Sequence, residues 1–479
     1  MKRPVRLNGV ATAGEERSIL LGAASPMLRR TPAVLSTTDC CHPVRVSTQV
    51  SFPEMPLPHP LLRIHTAGER RMALEVVHDR CCGLDVHKKM VVACVIVSEG
   101  REIRTFGTMT DDLEALAGWL EERGVTHVAM ESTGVFWKPI YNVLETFEFE
   151  LLVVNAQHMK AVPGRKTDVK DAEWIADLLR HGLLRASYVP SREERELREL
   201  VRYRKSLIRE RAAEVNRVQK VLEGANIKLA SVASDVMGKS GRAMVEALCA
   251  GATDPKALAA LARGRLQDKQ SELERALRGV VGAHQRRVLA TQLRHIAYLD
   301  EEIEGLSSEV AERERPFADA LGRLQTIPGV GQRTAEVILA EVGPDMSRFP
   351  TAGHLASWAG VCPGQNESAG KRKSGRTRKG CVSLRESLTE AARAAGRTRR
   401  TYLAAQYHRI AARRGAKRAA VAVAHTILVI AHHLLRDGTT YQDLGANYFD
   451  ERDKTGTIKR AIARISRLGY DVTLMPKAA

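Results

Sequence analysis

Four carboxylates in the first half of the chain have the residue types and the placement of a metal site. Asp85 lies near the end of a predicted strand, and Glu131 immediately follows another. Asp168 and Asp171 stand three residues apart where a helix is predicted to begin. Strand ends bring acids to one edge of a sheet, and the three-residue spacing puts two acids on one helix face. Such a group repels itself unless cations lie between its oxygens, so the pattern predicts a cation site.

The ligand types indicate which metal and which reaction this site would serve. Hard oxygen ligands, with no His or Cys among them, suit Mg²⁺ or Mn²⁺. Two such ions about 3.5–4 Å apart would activate a nucleophile and stabilise the leaving oxygen of a phosphoryl transfer, as in ribonuclease-H-like enzymes that cut polynucleotides. Ordinary roles stay open for single acids, because Asp85 can begin a turn and Asp168 can cap a helix. The occurrence of all four in this order favours the metal site.

A second group of candidate residues lies in a basic segment, Pro363–Gly380. It holds six Lys or Arg residues against one Glu, interspersed with Gly and hydroxyl residues. This composition is typical of a mobile loop that closes around phosphates. The predicted nucleic-acid-binding residues of this loop are Lys371, Arg372, Lys373, Arg376, Arg378 and Lys379.

Hydroxyl groups in and beside this loop are candidate nucleophiles. A hydroxyl oxygen becomes competent for attack once its proton is removed and cations hold the phosphate. Residue type alone does not separate the candidates, and it equally allows that all of them bind phosphate oxygens or cap turns. The candidates are Ser368, Ser374, Thr377 and Ser383.

A glycine-rich turn, Ile327–Gly331, precedes a predicted helix at Thr334–Val342. In a Pro-Gly-x-Gly turn between helices, backbone N–H groups can face a phosphate, as in helix-hairpin-helix modules. Tight helix turns also need glycine for conformational reasons. Phosphate contact and turn formation are therefore both open as roles of Gly329 and Gly331.

The composition indicates the class of partner. Over 479 residues, 74 Lys and Arg exceed 56 Asp and Glu by 18 charges, so nucleic acid is the expected partner ahead of acidic lipid or acidic protein. A hydrophobic content of 44% excludes wholesale disorder, and the length excludes a single small module. The charge points to a polyanion without specifying a reaction.

Cysteine spacing and hydropathy indicate the compartment. The eight cysteines include no Cys-x-x-Cys pair, so neither a disulfide framework nor a structural zinc site is supported. The longest apolar stretch, Ala419–Ala431, is shorter than the roughly 20 residues of a membrane span and predicts a buried helix. No secretory signal pattern occurs. We expect a cytoplasmic protein that does not enter a membrane.

Alternating apolar and polar segments predict an α/β layer fold with a mixed sheet before residue 190. A charged segment follows. Ser191 and Glu194 have capping-box spacing, and Val201 begins a heptad that continues through Ile208, Val215 and Leu222, with Arg204 and Arg211 on its d positions. The predicted strands are Cys81–Val86, Met90–Val97, Ile103–Met109, His127–Met130 and Leu151–Val154, and the predicted helices are Asp111–Arg123, Phe136–Phe147 and about Val169–Leu184.

These elements predict five regions. Residues 1–71 have no helical or strand period and are expected to be a disordered extension, or upstream sequence joined to a start at Met72. An α/β metal domain over 72–190 precedes an arm over 191–315. In this arm two long helices, the second in a helix-rich stretch from about Leu258 to Glu314, are joined by an irregular insert and form an antiparallel hairpin that serves dimerisation or lies along nucleic acid. A mainly helical domain over 316–440 and a tail over 441–479 complete the chain.

Four short runs together resemble a known family. They are Gly83–Lys88 (GLDVHK), Met130–Gly134 (MESTG), Lys166–Ala172 (KTDVKDA) and Asn366–Gly370 (NESAG). In this order they are similar to the DEDD transposases of bacterial insertion sequences of family one-hundred-ten, which are related to the Piv DNA invertases. The resemblance covers about Cys81 to Leu435 and is more specific as a set than any single run.

The resemblance implies a fold and a set of site residues. The first domain would resemble a Holliday-junction resolvase (RuvC-like), and its divalent-metal ligands map onto Asp85, Glu131, Asp168 and Asp171. The serine nucleophile, which links covalently to DNA, maps onto Ser368. Many relatives have Ser-Gly directly at this point, whereas Ala369 intervenes here, so Ser374, which does precede a glycine, stays an alternative.

The resemblance also implies partners. A structured noncoding RNA from the element, a bridge RNA, would pair with donor and target DNA, and the coiled coil would form dimers within a tetramer. The resulting hypothesis is an RNA-guided DNA recombinase with a composite active site from different subunits. Two rivals remain: a metal-dependent nuclease or transposase in which water attacks, and a non-catalytic nucleic-acid-binding remnant.

Overall fold

A computed structural model describes residues 75–132, 134–155, 171–364, 366–368 and 370–475. The predictions for residues 1–71 and for Asp168 lie outside these residues. The helices and strands of the described residues are numbered in chain order. In the first part they are β1 (Cys81–Val86), β2 (Val91–Val97), β3 (Gly100–Phe106), α1 (Thr110–Glu122), β4 (His127–Glu131), α2 (Trp137–Leu144), β5 (Glu150–Val154) and α3 (Asp171–Arg180).

The five strands form one mixed sheet with the order β3-β2-β1-β4-β5. β1 pairs antiparallel with β2 and parallel with β4, and β4 pairs parallel with β5. The mixed α/β prediction is therefore confirmed. The predicted third strand was placed three residues too late, because Val97 pairs with Gly100 across a two-residue turn and this tight turn starts β3 at Gly100.

The two faces of the sheet are covered by different helices. Cys82, Leu84 and Val86 of β1 pack into the core formed with α1 and α2. Because side chains alternate along a strand, Cys81, Gly83 and Asp85 belong to the other face, where Cys81 packs with residues of α3. Gly83 permits this close packing: a Cβ there would lie 2.4 Å from the carbonyl oxygen of Ala172 and the amide nitrogen of Ala176.

The arm consists of two long helices, α4 (Arg192–Gly224) and α9 (Ala283–Glu314). The Ser191 hydroxyl accepts a hydrogen bond from the amide of Glu194 at 3.3 Å, which confirms the predicted capping box. Glu196 near the start of α4 pairs with Arg313 near the end of α9, and Glu214 further along α4 lies 3.6 Å from His295, nearer the start of α9. The long helices thus form the predicted antiparallel hairpin.

Most buried side chains of α4 are three or four residues apart, whereas the sequence predicted an apolar seam with one position every seven residues. Val201 and Leu222 are buried as predicted, whereas Ile208 and Val215 are half-buried. The remaining buried positions are Leu197, Arg204, Leu207, Glu214 and Val218. Arg204 can occupy a core position because it forms a buried ion pair with Glu336.

The insert between the two long helices was expected to be irregular before about Leu258, which is wrong, because short helices occur on both sides of that residue. It contains α5 (Leu229–Val232), α6 (Lys239–Cys249), α7 (Pro255–Ala259) and α8 (Gln270–Ala276). These helices bury their own hydrophobic core, which includes Met244, together with the adjoining ends of α4 and α9. We call residues 225–282 the tip module. Apart from α6, these helices have seven residues or fewer, which gives too little periodicity to be recognised in a sequence.

The C-terminal domain is mainly helical and encloses the largest core. Its elements are α10 (Ala318–Gln325), α11 (Gln332–Val342), α12 (Ala352–Trp358), β6 (Asn366–Ser368), β7 (Lys371–Ser374), α13 (Val382–Ala395), α14 (Tyr402–Arg414), α15 (Ala416–Asp437), α16 (Tyr448–Arg452) and α17 (Lys454–Ser466). Among the described helices, α15 alone has the length and composition that could cross a membrane. It is nevertheless a core helix, since Val423, Ile427 and Leu428 are fully buried, as predicted for this segment.

Candidate metal edge and basic hairpin

Two predicted metal ligands lie on neighbouring strands of the sheet. Leu84 of β1 is paired with Met130 of β4, so the next residues, Asp85 and Glu131, occupy the next position of the same parallel register. Both are half-buried and belong to the sheet face that α3 covers. The fold therefore brings these two carboxylates to one sheet edge, as the sequence predicted.

Helix α3 begins at this same edge. It runs antiparallel to β1, because Ala172 and Ala176 pack on Gly83 while Arg180 at its end accepts hydrogen bonds from the amides of Val77 and His78 ahead of β1. Its first residue is Asp171, the fourth predicted ligand. Arg101 of β3 donates to Glu173 at 2.9 Å and to Asp177 at 2.6 Å, which fixes the helix on the sheet.

A histidine that the sequence analysis did not include as a site residue contacts the first ligand. His87 Nε2 lies 3.0 Å from Asp85 Oδ2. Such a hydrogen bond fixes the orientation of a carboxylate that is to hold a metal. Its signal in the sequence was the spacing of two residues, which places both side chains on one side of an extended segment.

The complete four-acid site is not assembled from described residues. Asp168 lies outside them, and no group of three or more His, Cys, Asp and Glu side chains within the described ranges is spaced to hold a metal ion. The donor types at Asp85, Glu131 and Asp171 are nevertheless the carboxylate oxygens that hard divalent cations prefer. The metal role of these acids stays a prediction.

The basic segment forms a hairpin, where a mobile loop was expected. β6 and β7 pair antiparallel, with Ser368 opposite Lys371 and Asn366 opposite Ser374. Gly370 in the connecting turn has φ +71°, a conformation that glycine adopts without strain. Pro363 forms a bridge with Thr377 below the strands. We call residues 363–380 the basic hairpin, with Ser368 at its tip.

The other candidate hydroxyls have different environments. The Ser374 hydroxyl accepts a hydrogen bond from the amide of Arg376 at 3.1 Å, which is a turn-forming role. Ser383 lies within α13, and its hydroxyl is buried. Thr377 lies at the bridge to Pro363. Ser368 thus differs from these candidates by its place at the hairpin tip.

Exposed cations surround the hairpin. Lys371, Arg376, Arg378 and Lys379 are exposed, and none of them forms an ion pair within the described part of the chain. Backbone positions are described for Arg372 and Lys373 on β7. Unpaired exposed cations keep their full charge for a polyanion, so the hairpin retains the nucleic-acid-binding role predicted for it.

The glycine-rich turn has a packing explanation at one of its two positions. Gly329 has φ +88°, and a Cβ there would lie 2.4 Å from the carbonyl oxygen of Ala391 on α13. Glycine is therefore required at 329 by the turn and by the close approach of α13. Gly331 is exposed at the N-cap of α11, where phosphate contact stays a prediction.

A buried polar cluster at the base of the hairpin was missed by the sequence analysis. Glu341 on α11 is completely buried and accepts two hydrogen bonds from Arg202 of α4, each 2.7 Å long. Burial alone would raise the pKa of Glu341, but the hydrogen bonds and charges of Arg202 and Arg198 hold it below its usual value. We call Arg198, Arg202 and Glu341 the α4 clamp. Its signal was the four-residue spacing of the two arginines on a helix.

Two sequence families match this chain in the order of its domains. A family described as "Transposase", DEDD_Tnp_IS110, matches residues 82–227, which include nearly all of the sheet, α3 and all of α4. A family described as "Transposase IS116/IS110/IS902 family" matches residues 321–409, which include the glycine-rich turn and the basic hairpin. Nearly all of the tip module lies between the two matches.

Curated relatives agree with these matches. A transposase for insertion sequence element IS1111A from Coxiella burnetii is 25% identical over 387 residues, covering 79% of this chain and 95% of the relative. A probable family 20 transposase from Pseudomonas aeruginosa is 27% identical over 274 residues, covering 56% of this chain and 70% of the relative. An insertion element IS110 protein from Streptomyces coelicolor is 38% identical over 125 residues, covering 25% and 29% respectively.

The acid-bearing sheet, the basic hairpin and these similarities agree in chain order and residue range. Both parts that carry candidate site residues lie within the family matches. DEDD transposases typically use a divalent metal, in keeping with the carboxylates at the sheet edge. Over these two ranges the chain matches IS110-family insertion-sequence transposases, and the similarities indicate a transposase that acts on DNA.

Proposed function

We propose that this transposase cuts and rejoins the DNA of its element through attack of Ser368 on a DNA phosphate. The observation that carries the proposal is the place of Ser368, at the last position of β6 and opposite Lys371 in a hairpin rich in exposed cations. Cations that hold the phosphate oxygens stabilise the charge that develops during phosphoryl transfer. Ser374 is the weaker candidate because its hydroxyl already accepts a hydrogen bond from the amide of Arg376.

The Ser368 oxygen forms a bond to phosphorus, and the bond from phosphorus to one DNA oxygen breaks. The serine proton passes to a base or to solvent, and the leaving DNA oxygen takes up a proton. Rejoining is the reverse reaction, in which a DNA hydroxyl attacks the phosphoserine and restores the free serine.

Asp85, Glu131, Asp168 and Asp171 would hold Mg²⁺ or Mn²⁺. When bound, such a cation lowers the pKa of a nucleophile and neutralises charge on the phosphate. Support comes from the shared register position of Asp85 and Glu131 and from the start of α3 at the same edge. His87 would keep the Asp85 carboxylate in one orientation through its 3.0 Å hydrogen bond.

The larger assembly is also part of this proposal. It includes a resolvase-like first domain, a bridge RNA as guide, a dimer or tetramer with a composite site, and a cytoplasmic location. The exposed cations of the hairpin support a nucleic-acid partner in general. Within each chain, α9 and the C-terminal domain cover the buried side of α4, so subunit contacts through the arm would use its outer faces.

The test uses the full-length protein with labelled element-end DNA, RNA from the flanking region and Mg²⁺. On a denaturing gel we expect a covalent protein–DNA band for wild type and none for Ser368→Ala. Asp85→Asn should remove both the band and strand cutting, whereas Glu99→Gln, at an exposed turn of the same domain, should leave both intact.

Other outcomes identify the rival mechanisms. Cutting by Ser368→Ala without a covalent band in either protein would mean that water attacks. A band that survives in Ser368→Ala but disappears in Ser374→Ala would transfer the nucleophile to Ser374. Salt-sensitive binding without any cutting would identify a non-catalytic nucleic-acid-binding remnant. Equal activity with and without the RNA would overturn RNA guidance.

A further inference from the structure

The α4 clamp connects the arm to α11 in the C-terminal core. Arg202 donates two 2.7 Å hydrogen bonds to the Glu341 carboxylate, and Arg198 donates to the carbonyl oxygens of Ala340 and Glu341 at 3.1 and 2.9 Å. Two donors of one planar guanidinium on one carboxylate fix the relative orientation of the helices more tightly than a single contact would.

The same arginine also contacts the hairpin's C-terminal end. Arg202 Nη2 lies 3.9 Å from the Sγ of Cys381, which directly follows Gly380 and caps α13. One turn further along α4, Lys205 donates to the carbonyl oxygen of Ser383 at 2.9 Å and to the hydroxyl of Ser387 at 2.8 Å. Successive turns of α4 thus hold the residues at which the hairpin chain enters α13.

Close backbone packing fixes the hairpin base on its other side. A Cβ at Gly360 would lie 2.9 Å from the Cα of Gly380, and a Cβ at Gly380 would lie 2.4 Å from the amide nitrogen of Gly360. Gly364 donates to the carbonyl oxygen of Arg376 at 2.9 Å. The direction of the hairpin therefore depends on the position of Cys381 and Gly380.

The preceding turns of α4 bind the sheet domain. Arg195 donates to Glu145 at 2.5 Å and to Asn142 on α2 at 3.1 Å, and Lys138 of α2 donates to Glu199 at 2.7 Å. Residues 195–205 of one helix thus contact both the domain with the acids and the segment that ends the basic hairpin.

We propose that Arg202 and Glu341 are positioning residues that orient the basic hairpin for reaction with DNA. The Glu341 carboxylate is buried and the Arg202 side chain is about half exposed, so the pair orients α4 on α11 chiefly through its two-donor geometry. The proposal rests on the proposed function only in that the hairpin is the element that reacts with DNA. It does not depend on which hydroxyl is the nucleophile.

The test compares Arg202→Lys and Glu341→Gln with wild type in the full-length protein. Lysine keeps the charge but loses the two-donor geometry, and glutamine keeps the shape but loses the charge. With labelled element-end duplex, flanking-region RNA and Mg²⁺, we expect the single-turnover rate at saturating DNA to fall at least tenfold. The DNA concentration for half-saturation should change less than twofold, because neither residue is an exposed hairpin cation.

A second readout does not depend on activity. The pKa of Cys381 is raised by burial and by the nearby Glu341 carboxylate. We expect faster alkylation of Cys381 by iodoacetamide in Arg202→Lys, which keeps the Glu341 charge, and faster hydrogen exchange over residues 375–383 in both variants. The control is Glu196→Gln on α4, which removes an exposed ion pair with Arg313 of α9 and should leave every readout unchanged.

The outcomes separate positioning from a merely structural role. Unchanged rates at saturating DNA would overturn the proposal. So would a rate loss that accompanies faster exchange throughout the C-terminal core, because that pattern reports general unfolding. Partial recovery of Arg202→Ala by millimolar guanidinium, without recovery of Ser368→Ala, would support it, and no recovery together with unchanged alkylation of Cys381 would oppose it. The single-turnover rate counts all DNA cutting, whichever hydroxyl or water attacks. A failure of the Ser368 assignment would therefore be distinguishable from a failure of the positioning proposal.

Discussion

At the residue scale, Glu314 is a carboxyl buried between the arm and the C-terminal domain. It is 2% exposed, and its Oε1 has no hydrogen-bond partner among the described residues. Burial, and then the negative charge of Glu336, raise the pKa of Glu314 to about 8, although Arg204 opposes this shift. Glu314 is therefore protonated in the folded chain at neutral pH.

This pKa shift predicts a pH dependence of stability. An unfolded glutamate titrates near 4.5, so between that value and about 8 the folded chain holds a proton that the unfolded chain has lost. The stability from this group is therefore present at low pH and is lost as pH rises through about 8. We expect Glu314→Gln to unfold at a higher temperature than wild type at pH 9, with a smaller difference at pH 5.5.

The measurement is the thermal midpoint across this pH range by circular dichroism. Glu312→Gln is the matched control, because Glu312 is exposed and pairs with Arg315 on the surface. Parallel pH profiles of wild type and Glu314→Gln would contradict the buried neutral carboxyl.

At the element scale, the position of α3 on the sheet depends on Gly83. A methyl group at 83 would meet backbone atoms of Ala172 and Ala176 at 2.4 Å, and backbone cannot move aside as a flexible side chain can. We expect Gly83→Ala to displace α3, and Asp171 with it, at a cost of about 1–3 kcal/mol of unfolding free energy. Metal-dependent DNA cutting should then fall more than DNA binding.

Gly118 gives the contrasting substitution in the same domain. It lies within α1, and no atom stands within 4 Å of a Cβ built there. Gly118→Ala should therefore stabilise the chain by about 0.5–1 kcal/mol, because alanine restricts the unfolded chain and favours helix. Chemical denaturation measures the change in unfolding free energy for Gly83→Ala and for Gly118→Ala. Equal changes in the two variants would contradict the packing argument at Gly83.

The tip module predicts a local response to core mutations. Met244 is fully buried in a core that includes the ends of α4 and α9 but no residue of the sheet. We expect Met244→Ala to cost about 2–5 kcal/mol within that core. Hydrogen exchange should accelerate over residues 225–282 while β1 and β4 keep their protection. Acceleration throughout the sheet would show instead that the module does not unfold on its own.

Sequence patterns predicted the elements whose signal is local. Runs of apolar residues between polar turns located β1 and β2, and the Ser191–Glu194 box located the start of α4. The basic hairpin was expected to be a loop because β6 and β7 are only three and four residues long and mainly polar. Partners distant in sequence, such as Arg202 and Glu341, 139 residues apart, leave no periodic signal in a single chain.

At the scale of the whole molecule, the excess of 18 positive charges is not uniformly available to nucleic acid. Arginines on α4 are used internally: Arg198 and Arg202 bind Glu341, and Arg204 binds Glu336. The exposed hairpin cations form no ion pairs within the described ranges. Phosphate binding should therefore depend on the hairpin far more than on the arm arginines, although both contribute to the net charge.

This distribution predicts the salt dependence of DNA binding. Each cation that contacts a phosphate contributes about 0.9 to the slope of log K against log salt. Neutralising Arg376, Arg378 and Lys379 together should lower that slope by about 2.7 if all three contact duplex phosphates. Neutralising Arg313 and Arg315, which pair with glutamates, should lower it far less. Equal losses of slope in the two sets of variants would mean that the total charge, and not the hairpin, attracts the DNA. A long-range field acts on paired and unpaired cations alike, whereas direct phosphate contacts need unpaired ones.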